Sequence, residues 1–411
     1  MALPAATPLR DPERDAAALH ARFGAPELRV EVEASGLREL LRVPAAELRA
    51  CYLPLLHALA ARAAAGGGAA ARALVGVAGA AGSGKSTLSS LLAALGNALA
   101  DADEASAGAD CANASAAFPR VASVSMDGYH LPNDTLVERG LRSRKGVVES
   151  IHGTALAGDL DLLLEAAAPA PRLQAPHSAA DPLGARASWA VVDADGAVRL
   201  AEYDRAVTHD PVLGAARVPR EARLVLVEGL FVARGDGRAA AGGVTAVDAA
   251  SASASASASA SAPGPELVGP DPLAWARVLA AQRETLLLDV PMLLCRARCL
   301  QRRLRASLAR GEDAAARVAK LVATSDHYAR NDAPTWRAVT QGDRHRASLL
   351  VSLPLPPALA AALAAAGGDA LAVPAETAVA ALEEDEAAAE RAGRGGFAGA
   401  QITRSGNTPF T

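Results

Sequence analysis

The chain has 411 residues, of which 51% are hydrophobic but only 3% aromatic, and 41 basic against 45 acidic residues give a net charge of −4. This length allows two or three domains, and the balanced charge excludes the basic footprint of a nucleic-acid-binding protein. No apolar run is long enough to cross a bilayer, and the N-terminus lacks the apolar region of a secretion signal. We expect a cytoplasmic protein that binds no membrane; an organellar transit peptide and a homodimer both stay open.

Residues 1–65 are predicted to form a helical extension that includes "AAELRACYLPLLHALAARAAA". In the following region, 66–354, apolar strand-like runs alternate with helical segments. This alternation predicts an α/β domain with a parallel sheet covered on both faces. The candidate strands are "ALVGVAG", "RVASVSMD", "ARLVLVEG", "ETLLLDVP" and "ASLLVSLP".

The first candidate strand runs into "GAAGSGKST", which fits the phosphate-binding pattern G-x-x-x-x-G-K-[ST] at full spacing. Glycines let successive backbone N–H groups turn toward phosphate oxygens, and the helical segment that follows places its N-terminus there. Lys85 would reach the β- and γ-phosphates, and the Ser86 hydroxyl would ligate Mg²⁺. The predicted nucleotide-binding residues are Gly79, Ala80, Ala81, Gly82, Ser83, Gly84, Lys85, Ser86 and Thr87.

Two carboxylates follow other candidate strands, each directly before a glycine. Asp127 ends "RVASVSMD", and Glu228 lies near the end of "ARLVLVEG". If these strands neighbour the first one, both side chains face the γ-phosphate. One could accept the proton of an incoming hydroxyl while the other holds Mg²⁺ through water.

Three stretches interrupt or follow the α/β pattern. Residues 178–200 and 235–266 are predicted insertions, and the second contains the low-complexity repeat "SASASASASASA". Residues 355–411 form an Ala-rich C-terminal tail, for which the composition indicates a solvated helix or a loose segment without chemistry.

A further set of motifs occurs in a fixed order between residues 48 and 354. The motifs are "CYLPLLHAL", "SMDGYHLPNDTLVERGLRSRKG", "EYDRAVTHDPV", "VEGLFV", "LLLDVP" and "ARNDAPTW". With them the chain resembles the phosphoribulokinase/uridine kinase/pantothenate kinase superfamily, and most of all a group of uridine-kinase-like sugar or nucleoside kinases. The resemblance implies a P-loop NTPase three-layer fold with a helical lid, and ATP and Mg²⁺ as cofactors.

The resemblance also assigns roles to residues. Asp127 matches the position of the catalytic base, and Glu228 matches the carboxylate that assists the metal. Arg305 matches the lid arginine, which acts on the phosphates together with Lys85. The sequence around Arg305 supports a lid: Leu300, Leu304 and Leu308 form one stripe of a helix, whereas Arg298, Arg302 and Arg305 lie on another face. A basic surface helix with solvated arginines is the alternative.

The residues that would bind the phosphoryl acceptor match the family pattern less completely. Tyr129 and His130 follow the base, the basic Arg144 and Lys145 could hold an acceptor, and a segment that lines the acceptor pocket in the family matches Tyr203, Asp204, Arg205 and His209. Two positions depart from the family: His152 stands where an aspartate is usual, and Leu230 replaces an asparagine.

These features predict an ATP- and Mg²⁺-dependent kinase that phosphorylates a hydroxyl of a nucleoside, a sugar or a pantothenate-like alcohol. A regulatory P-loop GTPase is one alternative, but none of the asparagines starts the guanine-reading N-K-x-D motif. A non-catalytic nucleotide-binding module is another, and the presence of both Lys85 and Asp127 disfavours it.

Overall fold

The computed structural model describes residues 10–34, 37–64, 71–107, 117–165, 188–205, 207–234, 272–394, 400–404 and 408–409. The predicted low-complexity insertion at 235–266 lies outside these ranges, as do the first ten residues of the insertion predicted at 178–200. Within the described ranges, no helix is long and apolar enough to cross a membrane.

The N-terminal segment contains a β-hairpin besides the predicted helices. Its elements are α1 (Pro12–Phe23), β1 (Glu27–Ala34), β2 (Leu37–Pro44), α2 (Ala45–Glu47) and α3 (Leu53–Ala64), with a π-helical turn at Leu48–Tyr52. In β1 the buried Leu28, Val30 and Val32 alternate with charged residues. This two-residue period is typical of a strand with one buried face, so the expectation of helices throughout residues 1–65 was wrong for this stretch.

The remaining strands and helices follow in the order that an α/β domain requires. They are β3 (Ala73–Gly79), α4 (Lys85–Ala107), β4 (Arg120–Ser125), α5 (Asn133–Glu138), α6 (Gly153–Glu165), β5 (Val191–Val192), β6 (Val198–Tyr203), β7 (Pro211–Val218), β8 (Ala222–Gly229), α7 (Pro272–Ala280), β9 (Gln282–Asp289), α8 (Met292–Ala309), α9 (Ala314–His327), α10 (Ala333–Asp343), β10 (Leu349–Ser352), α11 (Pro357–Ala365), α12 (Ala375–Arg391), β11 (Gln401–Arg404) and β12 (Thr408–Pro409).

The central sheet has the strand order β12-β11-β10-β9-β3-β8-β4. Strands β10, β9, β3, β8 and β4 run parallel, while β11 and β12 join in antiparallel pairs. Each of the five predicted strands is present in the sheet, and the expected α/β fold with a mostly parallel sheet is confirmed. Strand β3 is buried along its whole length because β8 and β9 flank it, which explains its continuous apolar sequence.

The strand register brings the ends of β3, β8 and β4 together. Glu228 of β8 pairs with Val77 of β3 on one side and with Ser125 of β4 on the other. The glycine-rich loop follows β3, and Asp127 comes two residues after β4 ends. Ligand sites of parallel sheets gather at this carboxyl edge, so the sheet order alone places all three features in one region.

A small antiparallel sheet, ordered β5-β6-β7, packs beside β4 and the 3₁₀ turn at Met126–Tyr129. It begins within the segment predicted as an insertion at 178–200. The buried Trp189, just before β5, stacks on the Tyr129 ring with the centroids 5.7 Å apart. The described part of this segment, 188–200, is therefore an integral support of the acceptor side.

The segment predicted as a C-terminal tail packs onto the domain. Helix α12 lies against α8 and α11, with Ala378, Val379 and Leu382 buried. Asp385 of α12 accepts hydrogen bonds from the first free N–H groups of α11, and β11 extends the sheet beside β10. The expectation of a solvated or loose segment after residue 354 was wrong, because alanine-rich helices still bury a narrow stripe.

Candidate active site

The glycine-rich loop between β3 and α4 has the conformation that its spacing predicts. Gly82 and Gly84 adopt φ angles of +80° and +93°, which L side chains rarely tolerate. A Cβ atom at Gly82 would lie 2.1 Å from the carbonyl oxygen of Cys295, so α8 also requires glycine there. The buried Ser83 Oγ has no hydrogen-bond partner among the described residues. The loop is thus shaped as a cradle with an unused donor.

Lys85 and Ser86 start α4 and point toward this cradle. The Lys85 ammonium donates to the Ala80 carbonyl at 2.8 Å, and the Ser86 hydroxyl donates to Glu228 Oε1 at 3.0 Å. Because Glu228 is buried on β8, its carboxylate is fixed beside the serine. Both side chains lie where phosphate and a divalent cation would bind at a helix N-terminus.

The hydroxyl–carboxylate pair fits Mg²⁺ by the chemistry of its atoms. Mg²⁺ binds hard oxygen ligands and keeps several waters, so few protein ligands are needed. The described part of the chain has no cluster of three or more His, Cys, Asp or Glu side chains that could hold a metal. Ser86 and Glu228 are the residues that would hold the ion.

Asp127 sits in the 3₁₀ turn that follows β4, with its backbone N–H donating to Ser125 Oγ. Its carboxylate forms an ion pair with Arg205. Burial alone would raise the pKa of Asp127, but Arg205, His130 and Lys85 outweigh it and hold that pKa at about 2. Asp127 is therefore an ionised hydrogen-bond acceptor at neutral pH.

His130 is fixed beside Asp127 at the end of the same turn. One ring nitrogen, Nδ1, lies 2.8 Å from the Asp127 carbonyl oxygen. Burial lowers the pKa of His130, against the opposing effect of Asp127. Since an ordinary histidine already titrates below pH 7, this ring is neutral at physiological pH and acts through hydrogen bonds.

A cavity of about 370 Å³ joins these features. Its lining comprises Glu39, Ala81, Gly82, Gly84, Lys85, Ser86, Thr87, Met126, Asp127, His130, Gly146, Ile151, Arg205, Glu228, Leu230, Phe231, Arg298, Gln301, Arg302, Arg305, Asp332 and Glu386. The P-loop and α8 form one end, which we call the nucleotide end. We call the part of the lining around Asp127 the acceptor end; its residues are Met126, Asp127, His130, Ile151, Arg205, Leu230 and Phe231.

Helix α8 occupies the position predicted for the lid. Leu300 is fully buried and Leu304 partly buried, but Leu308 is 53% exposed, so the predicted apolar stripe packs over only part of its length. Arg298, Arg302 and Arg305 all line the cavity as expected. Arg305 donates to Glu386 of α12 at 3.2 Å, and Gln301 donates to the same carboxylate at 2.7 Å.

The predicted acceptor residues separate into two groups. His130 and Arg205 line the cavity, whereas Tyr129 does not: its ring is fully buried, and its hydroxyl donates to the buried Asp159 at 2.7 Å. The proposed substrate contact by Tyr129 is therefore wrong, since its packing against Trp189 and its bond to Asp159 use the whole side chain. Arg144 is exposed and lies outside the cavity lining.

The other predicted acceptor residues form a hydrogen-bonded cluster beside the cavity instead of lining it. Lys145 Nζ donates to Asn133 Oδ1 and to the His209 carbonyl, and it lies 4.8 Å from the centre of the Tyr203 ring. The Tyr203 hydroxyl donates to the same carbonyl, and Asp204 accepts from Val207 and Thr208. This cluster holds the loop that presents Arg205.

The two departures from the family pattern have different consequences. His152 accepts a hydrogen bond from the Ala155 N–H at 3.1 Å and packs edge-on against Trp189, so it caps α6 instead of binding an acceptor. Leu230 lines the cavity and makes its acceptor end more apolar.

Three acidic residues of the cavity lining were missed by the sequence reasoning: Glu39, Asp332 and Glu386. Asp332 lies in "ARNDAPTW", a motif that was recognised without any role being given to its carboxylate. Glu39 and Glu386 come from the N-terminal hairpin and from α12, where one acidic residue among many carries no signal.

Several solved structures are similar to this chain. Three of them are "putative fructose transport system kinase" from Silicibacter sp. TM1040 (24% identity, TM-score 0.39, 69% of this chain and 90% of that chain), D-glycerate 3-kinase from Cryptococcus neoformans (13%, 0.39, 73% and 92%), and YFH7 from Saccharomyces cerevisiae, "a putative P-loop containing kinase with a circular permutation" (14%, 0.34, 66% and 89%). No family profile and no curated protein matches the sequence. With TM-scores below 0.5, the functional assignment depends on the geometry of this chain.

Proposed function

We propose that this protein is an ATP- and Mg²⁺-dependent kinase that transfers the γ-phosphoryl group of ATP to a hydroxyl of a small metabolite. The observation that carries the proposal is the convergence of Lys85, Ser86 and Glu228 with Asp127 on one cavity. A phosphate loop and a cation site account for nucleotide binding, and the ionised Asp127 on the same cavity supplies an acceptor for the proton of a bound hydroxyl.

At the nucleotide end, the loop and the lid bind phosphates. The backbone N–H groups of the loop and the N-terminus of α4 attract anionic oxygens, and Lys85 exchanges its bond to Ala80 for one to phosphate. Arg302 and Arg305 on α8 lie on the same cavity and supply guanidinium donors from the lid side. Bound Mg²⁺, held by Ser86 and Glu228, supplies charge neutralisation of the phosphates.

At the acceptor end, Asp127 accepts a hydrogen bond from the acceptor hydroxyl and aims that oxygen at the γ-phosphorus. The new bond joins the acceptor oxygen to phosphorus while the bond from phosphorus to the β–γ bridging oxygen breaks, and ADP leaves. The hydroxyl proton passes to the Asp127 carboxylate. Because phosphoryl transfer proceeds through a loose transition state, a weakly basic carboxylate that orients the nucleophile is sufficient.

Nucleotide binding is tested by thermal shift with Mg·ATP. Ligand that binds only the folded state raises the apparent melting temperature, and Lys85→Ala should remove most of that rise. Lys320→Ala is the matched control, since Lys320 lies on α9, pairs with Glu312 and is absent from the cavity lining. An equal shift in Lys85→Ala and in the wild-type protein would contradict the nucleotide site.

Kinase activity is tested by ADP release against nucleosides, sugars and vitamin alcohols. We expect ADP release that depends on one acceptor class, together with a phosphorylated product detected by mass spectrometry. ATP hydrolysis that no acceptor accelerates would instead support a regulatory NTPase, and Mg·ATP binding without any turnover would support a non-catalytic module.

A further inference from the structure

Asp332 is a cavity carboxylate that the proposed mechanism does not use. It ends the π-helical turn Tyr328–Asp332 and stands at the N-cap position of α10, yet its side chain caps no N–H group there. A Cβ atom at Gly146 would lie 3.6 Å from Asp332 Oδ1, so the carboxylate faces the turn after Lys145. None of the described residues donates a hydrogen bond to it.

The charges around Asp332 come mostly from groups that already have a function. Lys85 and Arg302 attract the carboxylate, as does His327 when charged, whereas Asp127 repels it. Lys85 and Arg302 belong to the nucleotide end. Burial nevertheless raises the pKa of Asp332, which shows that the surrounding cations do not fully compensate its desolvation.

Among the described residues, the side chains of Arg205 and Lys145, the basic residues predicted to bind the acceptor that lie at or beside the acceptor end, already have partners in the protein. Arg205 is paired with Asp127, and His130 is neutral because burial lowers its pKa. Lys145 donates to Asn133 and to His209 beside the cavity and is absent from its lining. What this end presents is carboxylate oxygen together with apolar surface from Met126, Ile151, Leu230 and Phe231.

We propose that Asp332 determines acceptor specificity by accepting hydrogen bonds from hydroxyls next to the one that is phosphorylated, so that the acceptor is an uncharged polyol, not a carboxylic acid. This inference rests on the kinase function proposed above and selects among its acceptor classes. Hydroxyl groups are donors that satisfy Asp332, and the apolar wall covers the carbon face of a sugar or nucleoside. An acceptor carboxylate would be repelled by Asp332, whose own charge the surrounding cations do not fully compensate.

The test uses acceptor pairs that differ by a carboxylate: ribose and ribonate, glycerol and glycerate, panthenol and pantothenate. ADP release is measured for each compound with the full-length wild-type protein, Asp332→Ala and Asp332→Asn. Asp326→Asn is the control, because Asp326 lies on α9, is exposed, and pairs with Arg330 outside the cavity lining. KM values for acceptor and for ATP are determined separately.

We expect the wild-type protein to use uncharged members only. Asp332→Ala should raise the KM for the polyol about 10- to 100-fold, the range set by one hydrogen bond to a charged group, while the KM for ATP stays the same. Asp332→Asn removes the negative charge at constant size. It should raise ADP release with the acids, relative to ADP release with the polyols, by about 10-fold. Asp326→Asn should match the wild-type protein.

Three results would overturn the inference in distinguishable ways. Phosphorylation of the acids in preference to the polyols would reject the specificity role and leave the kinase function standing. Phosphorylation of no compound, with the Mg·ATP thermal shift intact, would reject the kinase function and the inference with it. An equal rise of the KM values for ATP and polyol in Asp332→Ala would make Asp332 a general structural residue.

Discussion

Glu228 and Asp127 are two carboxylates whose environments separate their roles. Glu228 is buried on the strand next to β3 and accepts from Ser86, whereas Asp127 is half-buried in a turn and pairs with Arg205. Each therefore belongs to one end of the cavity. This separation makes the two residues distinguishable by mutation.

Glu228→Gln should weaken the magnesium site and leave the acceptor end intact. The amide keeps the size of the side chain but loses the charge that supports a cation beside Ser86. We expect the Mg²⁺ concentration for half-maximal turnover to rise about 10-fold and added Mg²⁺ to recover part of the activity. Turnover measured over a Mg²⁺ titration checks this. Activity that no Mg²⁺ concentration improves would argue against a metal-supporting role.

The pKa of Asp127 predicts how turnover depends on pH. Because this folded-state pKa is depressed to about 2, Asp127 stays ionised above roughly pH 3 and should cause no loss of activity between pH 5 and 9. Arg205→Met removes the cation that opposes burial, so the Asp127 pKa should rise and activity should fall at the acid end of this range. Profiles of kcat against pH for both proteins test the assignment. An acid limb already present in the wild-type protein and unmoved by Arg205→Met would contradict it.

At the scale of an element, helix α8 is tied to helix α12 through Gln301 and Arg305. Glu386 accepts from both Gln301 and Arg305 at the cavity. Arg305 is 59% exposed, so the pair with Glu386 is weak and easily exchanged for a bond to phosphate. Helix α12 therefore orients Arg305 through an exchangeable contact.

Two variants on this contact should have opposite effects. Arg305→Ala should lower kcat more than it weakens ATP binding, since a guanidinium stabilises charge that develops during transfer. Glu386→Gln frees Arg305 and should tighten ATP binding by about 2- to 5-fold, the range of an exposed ion pair. ATP affinity and kcat are measured for both, with Glu384→Gln of the same helix as control. Equal losses in kcat and affinity for Arg305→Ala would make it a ground-state binding residue.

At the scale of the whole molecule, the N-terminal segment is anchored to the α/β domain by buried charges. Arg10 pairs with Asp15 of α1 and with Asp103 of α4, and His57 of α3 lies 2.7 Å from Asp15. Burial would raise the pKa of Asp15, but His57 and Arg10 lower it to about 2. This network joins α1, α3 and α4 through Arg10 and the carboxylates of Asp15 and Asp103.

Asp15→Asn should destabilise the fold by about 3 kcal/mol at pH 7, because Arg10 and His57 lose their buried partner. A depressed carboxyl pKa contributes stability that is complete above the unfolded value near 4 and is lost as pH falls toward about 2. The difference between wild type and variant should therefore shrink between pH 4 and 2. Denaturant unfolding at several pH values measures this difference in the free energy of unfolding. A difference that stays constant with pH would exclude the ionised pair as its source.

A feature could be predicted when the residues that determine it lie close together in the sequence. The parallel strands and the loop at Gly79–Thr87 are encoded locally, in short apolar runs and glycine spacing, and they were predicted. The contact of Glu386 with Arg305 spans 81 residues of sequence, and it depends on how α12 packs, which alanine-rich composition does not specify. Tyr129 was misassigned because its burial is set by Trp189, sixty residues later in the chain.

The most direct test of the account is the effect of Asp127→Asn on transfer and on ATP binding in the same preparation. The asparagine keeps the size of the side chain and leaves the loop, Ser86 and Glu228 in place. We predict that acceptor phosphorylation falls by about 10²- to 10⁴-fold, the usual contribution of a positioned base, while the Kd for Mg·ATP is unchanged. Unchanged transfer in Asp127→Asn would contradict the proposed mechanism.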